Sequence, residues 1–149
     1  MTYTRHKEAI DWFGKSVSIN ESFHRFVNNR IVRGTVYFAE LGENVGHEKS
    51  NSRPVLVISN DQNNLTSTNV IVAVMTEAEN KKKQDGTIKL LPTQYLMKKF
   101  DYPFLSFDSV VQFEDIRTLS KIRLKSNMGF VTPENLKKME RNLLRSFGL

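Results

Sequence analysis

The apolar and polar positions change period near residue 31. Over the first thirty residues they repeat at helical spacing. Ala9, Ile10, Trp12 and Phe13 fall in one stretch. Phe23, Phe26 and Val27 follow at i, i+3, i+4, with Ser18 and Asn20 as candidate N-caps. Gly14 is placed to break the segment into two helices. Beyond Arg33 the signal becomes that of strands. Thr35 to Leu41 is rich in strand formers, and Gly42 to Ser52 is polar loop. Pro54 to Ile58 and Val70 to Met75 are continuous apolar runs, as expected for strands covered on both faces. Asn60 to Asn64 has turn chemistry, Thr87 to Leu91 reads as a further strand, and Ser109 to Phe113 is β-rich. The chain closes on a helix. Thr132 is its N-cap, Pro133 its first residue, and Leu136, Met139, Leu143 and Leu144 its apolar stripe. Short strands at this spacing followed by one helix predict a small barrel of the α+β class, mainly β.

Composition narrows the function classes. The 149 residues suit one domain with a real core. No apolar run reaches membrane-spanning length, and Met1 to Lys15 lacks the apolar centre of a signal peptide, so a cytoplasmic location and no membrane partner are expected. With no cysteine, disulfides, thiol catalysis and thiolate metal sites are excluded. His6, His24 and His47 lack ligand spacing, and neither a metal nor any other cofactor is expected. Against 16 acidic residues stand 22 Lys and Arg, a net +6, which favours a polyanionic partner.

The chemistry concentrates between residues 46 and 59, Gly-His-Glu-Lys-Ser-Asn-Ser-Arg-Pro-Val-Leu-Val-Ile-Ser. An imidazole and a carboxylate lie six and five residues before Arg53, which opens an apolar strand through Pro54. A cation at a strand end is held in place, and a guanidinium forks onto two phosphate oxygens. Were the polyanionic partner an RNA cut without metal, the chemistry would need a base for the 2′-hydroxyl, a positive group for the pentacoordinate phosphate and a donor near the leaving oxygen. Arg53 suits the second role, and Thr76, after the run Val70 to Met75, offers a hydroxyl. Glu48 is a candidate base, with His47 as the alternative. Lys49, Ser52, Lys81 and Lys82 are candidate RNA contacts, and Lys83, Lys98, Lys99, Lys121, Arg123 and Lys125 add to the basic surface. Tyr95, Phe100, Tyr102 and Phe104 are interleaved with basic residues, although core packing is the commoner use of such side chains.

The 46–59 stretch resembles the MazF/PemK family of toxin endoribonucleases. Arg33-Gly34-Thr35-Val36-Tyr37-Phe38 resembles that family's opening strand, and Val70 to Thr76 its central strand. Asp108-Ser109-Val110-Val111 with Glu114-Asp115-Ile116-Arg117-Thr118 resembles its late strand and RT element. The likeness runs from residue 31 to 149, leaving 1–30 as a helical extension. It implies an SH3-like (PemK/CcdB-like) barrel with a C-terminal helix, usually homodimeric. It also implies sequence-selective cleavage of single-stranded RNA to a 2′,3′-cyclic phosphate and a 5′-hydroxyl, and a cognate antitoxin. Arg53, Thr76 and Glu48 take the catalytic places. Arg117 either reaches phosphate or pairs with Glu114, and the spacing favours the pair. Asp115 stands where the family usually has glutamine, and Lys49 where it often does. Two other readings use the same barrel: a CcdB-like toxin that binds gyrase, and a non-catalytic nucleic-acid-binding regulator.

Overall fold

The computed structural model describes residues 2–21, 30–46 and 51–149. Helix α1 runs Thr2–Glu21, and strands β1 (Thr35–Glu40) and β2 (Ser52–Val57) follow. Next come a short helix α2 (Asp61–Thr66), strand β3 (Asn69–Glu77) and a 3₁₀ turn (Ala78–Lys81). Strands β4 (Gln94–Met97) and β5 (Ser109–Ser120), a second 3₁₀ turn (Lys121–Arg123), β6 (Leu124–Phe130) and helix α3 (Pro133–Ser146) complete the chain.

All six strands form one antiparallel sheet in the order β4-β5-β3-β2-β1-β6. That order forces the sheet to curl. Strands β5 and β6 are separated by three others, which in a flat sheet would hold them roughly 19 Å apart. The chain passes between them through Lys121–Arg123 alone, and even fully extended it would reach only about 14 Å. The sheet therefore rolls until its β5 and β6 ends meet, which makes the expected small barrel.

Alternation divides the apolar runs between two cores. Val55, Val57, Val72 and Val74 meet Leu119 and Leu124 inside the roll. Leu56, Ala73, Met75 and Val111 face the other way, onto Leu136 and Met139 of α3. Both faces are covered, so both runs are continuous rather than alternating. Helix α3 begins as expected, with Thr132 Oγ1 accepting from Asn135 N–H and Pro133 at the first turn. Leu143 packs on the core, while Leu144 at the end of the stripe is exposed.

Several expectations change. Gly14 does not break α1, which runs through it, and Ser18 and Asn20 are helical residues rather than caps. Asn60 to Asn64 is not a bare turn: Asn60 caps α2 by accepting from Asn63 N–H. Thr87 to Leu91 forms no strand, only the bridge Lys82–Ile88, because Asp85 and Gly86 hold this stretch in a tight turn. Strand β5 continues past Phe113 to Ser120, absorbing the Glu114–Thr118 element. Its pairing jumps from Val74–Gln112 to Ala73–Ile116, so residues 113–115 bulge out of register.

Among the described residues, α1 meets the barrel through Trp12 and Lys15. Trp12 lies against Gly42, where a Cβ would sit 2.7 Å from the indole, and φ is +83°. The Arg123 guanidinium lies 5.2 Å over the same ring. The aromatic residues of this segment, Trp12, Phe13, Phe23 and Phe26, suggest packing of the extension on the barrel; Trp12 packs there, whereas Phe13 projects away from that contact and is exposed. Phe23 and Phe26 lie outside the described residues.

Candidate active site

Arg53 and Thr76 sit on neighbouring strands. The β2–β3 register pairs Val57 with Val72, Leu56 with Ala73 and Val55 with Val74. The paired stretch ends at Val55–Val74; Arg53 lies two residues before it on β2 and Thr76 two residues after it on β3, so both stand at the same end of the two strands. Pro54, lacking an N–H, cannot donate to a ladder there. Both residues line one groove of about 500 Å³. Its other walls come from Phe38 on β1, Ser109 on β5, Met128 on β6, Asn80 of the first 3₁₀ turn and Phe107 of the loop before β5.

Thr76 is buried, and its Oγ1 accepts a hydrogen bond from Asn80 Nδ2 at 3.0 Å. Phe107 is 58% exposed, so the groove has an aromatic wall open to solvent. Its carbonyl accepts from Ser109 Oγ, and the next residue, Asp108, accepts from Lys99 N–H and through its carbonyl from Ala78 N–H. The ring stands on a fixed backbone.

Beside Arg53 lies a buried carboxylate. Glu40, 3% exposed, accepts from Ser52 Oγ at 2.7 Å, Lys125 Nζ at 3.2 Å and Gly42 N–H at 3.3 Å. Lys15 of α1 approaches to 3.8 Å. Burial alone would raise its pKa, but the bonds from Ser52, Lys125 and Gly42 and the Lys125 charge outweigh it and lower the pKa below the ordinary value. Lys125 also donates to Ser52 Oγ. The Ser52 hydroxyl, a candidate RNA contact, is thus engaged by Glu40 and Lys125.

The loop carrying His47, Glu48 and Lys49 lies outside the described residues, but its stem does not. Leu41 N–H donates to Asn51 carbonyl and Asn51 N–H to Gly42 carbonyl, both at 2.8 Å. These bonds close the stem immediately before Ser52 and Arg53. Lys81 and Lys82 follow Asn80 but do not line the groove, and Lys82 pairs with Glu79 at 3.0 Å. Arg117 lines a second groove of about 900 Å³ with Arg123, Asn44 and Thr118. Its partner is not Glu114 but Asp115, at 3.1 Å, since the bulge swings Glu114 towards Thr93 and Gln94, from which it accepts. The negative charge of Asp115 is spent on this pair.

Glu40, Asn80 and Phe107 were missed in the sequence. Glu40 ends an apolar strand and reads as a boundary charge. Asn80 stands among charged residues, and Phe107 has no periodic context. Glu40 comes to Ser52 through the β1–β2 pairing, Asn80 to Thr76 through the 3₁₀ turn after β3, and Phe107 to the groove through the loop before β5.

Residues 32–147 match the profile of the PemK-like, MazF-like toxins of type II toxin–antitoxin systems. The chain belongs to this family. It is 40% identical over 119 residues to the endoribonuclease MazF of Staphylococcus epidermidis, covering 80% of this chain and 92% of that protein. A mycobacterial endoribonuclease solved with its cognate antitoxin is 26% identical with a TM-score of 0.59, over 80% of this chain and 96% of that one. MazF from Deinococcus radiodurans shares the fold at 18% identity and a TM-score of 0.63, over 81% and 99% of the two chains. In this PemK/MazF-like toxin, as in the family's expected layout, the cationic strand end and the threonine-bearing strand end share one groove.

Proposed function

We propose that this family member is the toxin of a type II toxin–antitoxin pair, a metal-independent endoribonuclease cutting single-stranded RNA at a short sequence. One observation carries the reading: Arg53 and Thr76, at the same end of β2 and β3, line a common groove. The 40% identity to a protein named endoribonuclease MazF supports the same activity and disfavours the gyrase-binding and non-catalytic alternatives.

In this reaction the ribose 2′-oxygen attacks the adjacent phosphorus and its proton passes to a base. The P–O5′ bond breaks, leaving a 2′,3′-cyclic phosphate and, after protonation, a 5′-hydroxyl. Glu48 is the base, with His47 as the alternative; both belong to the segment that leads into Ser52 and Arg53. Arg53 holds the two non-bridging oxygens as charge builds. Thr76 donates to one of them. Lys49, Lys81, Lys82 and Arg117 supply weaker, salt-dependent contacts along the strand. The net charge of +6 suits both RNA and an acidic antitoxin segment. A homodimer, a cytoplasmic location, and a division into a 1–30 extension and a 31–149 toxin domain belong to the same reading. No described helix is long and apolar enough to cross a membrane.

The test is incubation with long single-stranded RNA in EDTA, followed by mapping of fragment ends. Discrete fragments ending in 2′,3′-cyclic phosphate support the reading. Intact RNA, or cleavage only when divalent ions are restored, contradicts it.

A further inference from the structure

Asn80 makes the Thr76 hydroxyl a donor. A hydroxyl has one proton to give and two lone pairs to receive, whereas an amide nitrogen only gives. In the 3.0 Å contact Asn80 Nδ2 is therefore the donor and Thr76 Oγ1 the acceptor. No described residue accepts the Thr76 proton in return. Thr76 is 5% exposed, and the space its side chain borders is the Arg53 groove. A hydroxyl that already accepts a hydrogen bond is also the stronger donor. Asn80 is itself held in place. Its turn is anchored by buried Ala78, whose N–H donates to Asp108 carbonyl at 2.8 Å.

We propose that Asn80 is a positioning residue that turns the Thr76 O–H into the groove, towards a phosphate oxygen of the RNA. This inference rests on the nuclease reading above. A directed O–H suits any oxygen acceptor, and beside the Arg53 guanidinium the acceptor it best fits is a phosphate oxygen.

The test compares the wild-type chain with Asn80→Ala and Asn80→Asp, each checked for an unchanged melting temperature. Cleavage of one single-stranded RNA is followed at saturating and subsaturating RNA from pH 4.5 to 8. An ionised aspartate would accept the Thr76 proton instead of donating, so Asn80→Asp should lose roughly 100-fold in kcat at pH 7, the scale of one directed donor. Asn80→Ala leaves the hydroxyl free to rotate and should lose about 10-fold, with KM little changed. At pH 4.5 about a fifth of an aspartate with the ordinary pKa of ~3.9 is protonated and donates again, so Asn80→Asp should regain part of its activity relative to wild type. Asn80→Ala should show no such recovery. Folded variants with wild-type kcat overturn the proposal. So does a loss by Asn80→Asp confined to KM with no relative acid recovery, which would mean charge repulsion of RNA rather than a misdirected hydroxyl. If Asn80→Asp does not fold, the kcat of Asn80→Ala decides. Intact RNA with the wild type overturns the nuclease reading itself, a separate result.

Discussion

Replacing Glu40 with glutamine removes one charge from a site the fold has closed around it. The carboxylate is 3% exposed and accepts from Ser52, Lys125 and Gly42. Glutamine keeps the shape but offers one acceptor oxygen, and its NH₂ must face a donor. Loss of one hydrogen bond to a charged group costs about 1.5–3 kcal/mol. The Lys125 side chain is 47% exposed, so its charge contributes only the ~0.5 kcal/mol of a solvent-screened pair. A net loss of about 2 kcal/mol follows, or roughly 4–8 °C in melting temperature for a chain of this size. The pH dependence gives the sharper test. The pKa of Glu40 is lowered in the folded state. Its stabilisation is therefore complete above the ordinary glutamate pKa near ~4.3, and is lost as pH falls through the lower folded value. Chemical denaturation of both proteins at pH 7 and at about pH 3 should show a gap that shrinks on acidification. A gap of the same size at both pH values, or none at pH 7, refutes the reasoning.

The groove and the docked helix give further expectations. Thr76→Val should lower kcat by roughly 100-fold with little change in melting temperature, while Thr76→Ser retains most of it, as read by fragment yield. Phe107→Ala should weaken RNA binding by about 1–3 kcal/mol per lost base stack while leaving stability unchanged, since the ring is 58% exposed; binding to 2′-O-methyl RNA measures it. Gly42→Ala drives a Cβ to 2.7 Å from the Trp12 indole at a φ of +83°, and should release α1 from the barrel. Quenching of Trp12 fluorescence by iodide, stronger in the variant, reads that release.

What could be read from the sequence depended on whether a residue's role is local. Strands β2 and β3 announce themselves because both faces are buried, which leaves no polar positions to interrupt the apolar runs. Helix α3 is equally plain, since Thr132 and Pro133 set its start by local chemistry. Strand β6 escapes notice: only Leu124 in Leu124–Phe130 is buried, and its partner β1 is about ninety residues earlier in sequence. Gly14 was weighted as a breaker, yet one glycine costs a helix only about 1 kcal/mol and α1 absorbs it. Arg53 and Thr76 are legible through motif order, and the groove at the shared end of β2 and β3 gives the reason they belong together. The Asp115–Arg117 pair was misassigned to Glu114 because sequence spacing cannot show the bulge that separates the two acids.

Cleavage of long single-stranded RNA in EDTA by the wild type and by a folded Arg53→Ala variant tests the central claim most directly. Discrete fragments from the wild type, with the rate reduced at least ~100-fold in the variant, are the predicted result. Equal cleavage by both proteins, or intact RNA with both, contradicts the assignment of the Arg53–Thr76 groove as a ribonuclease site.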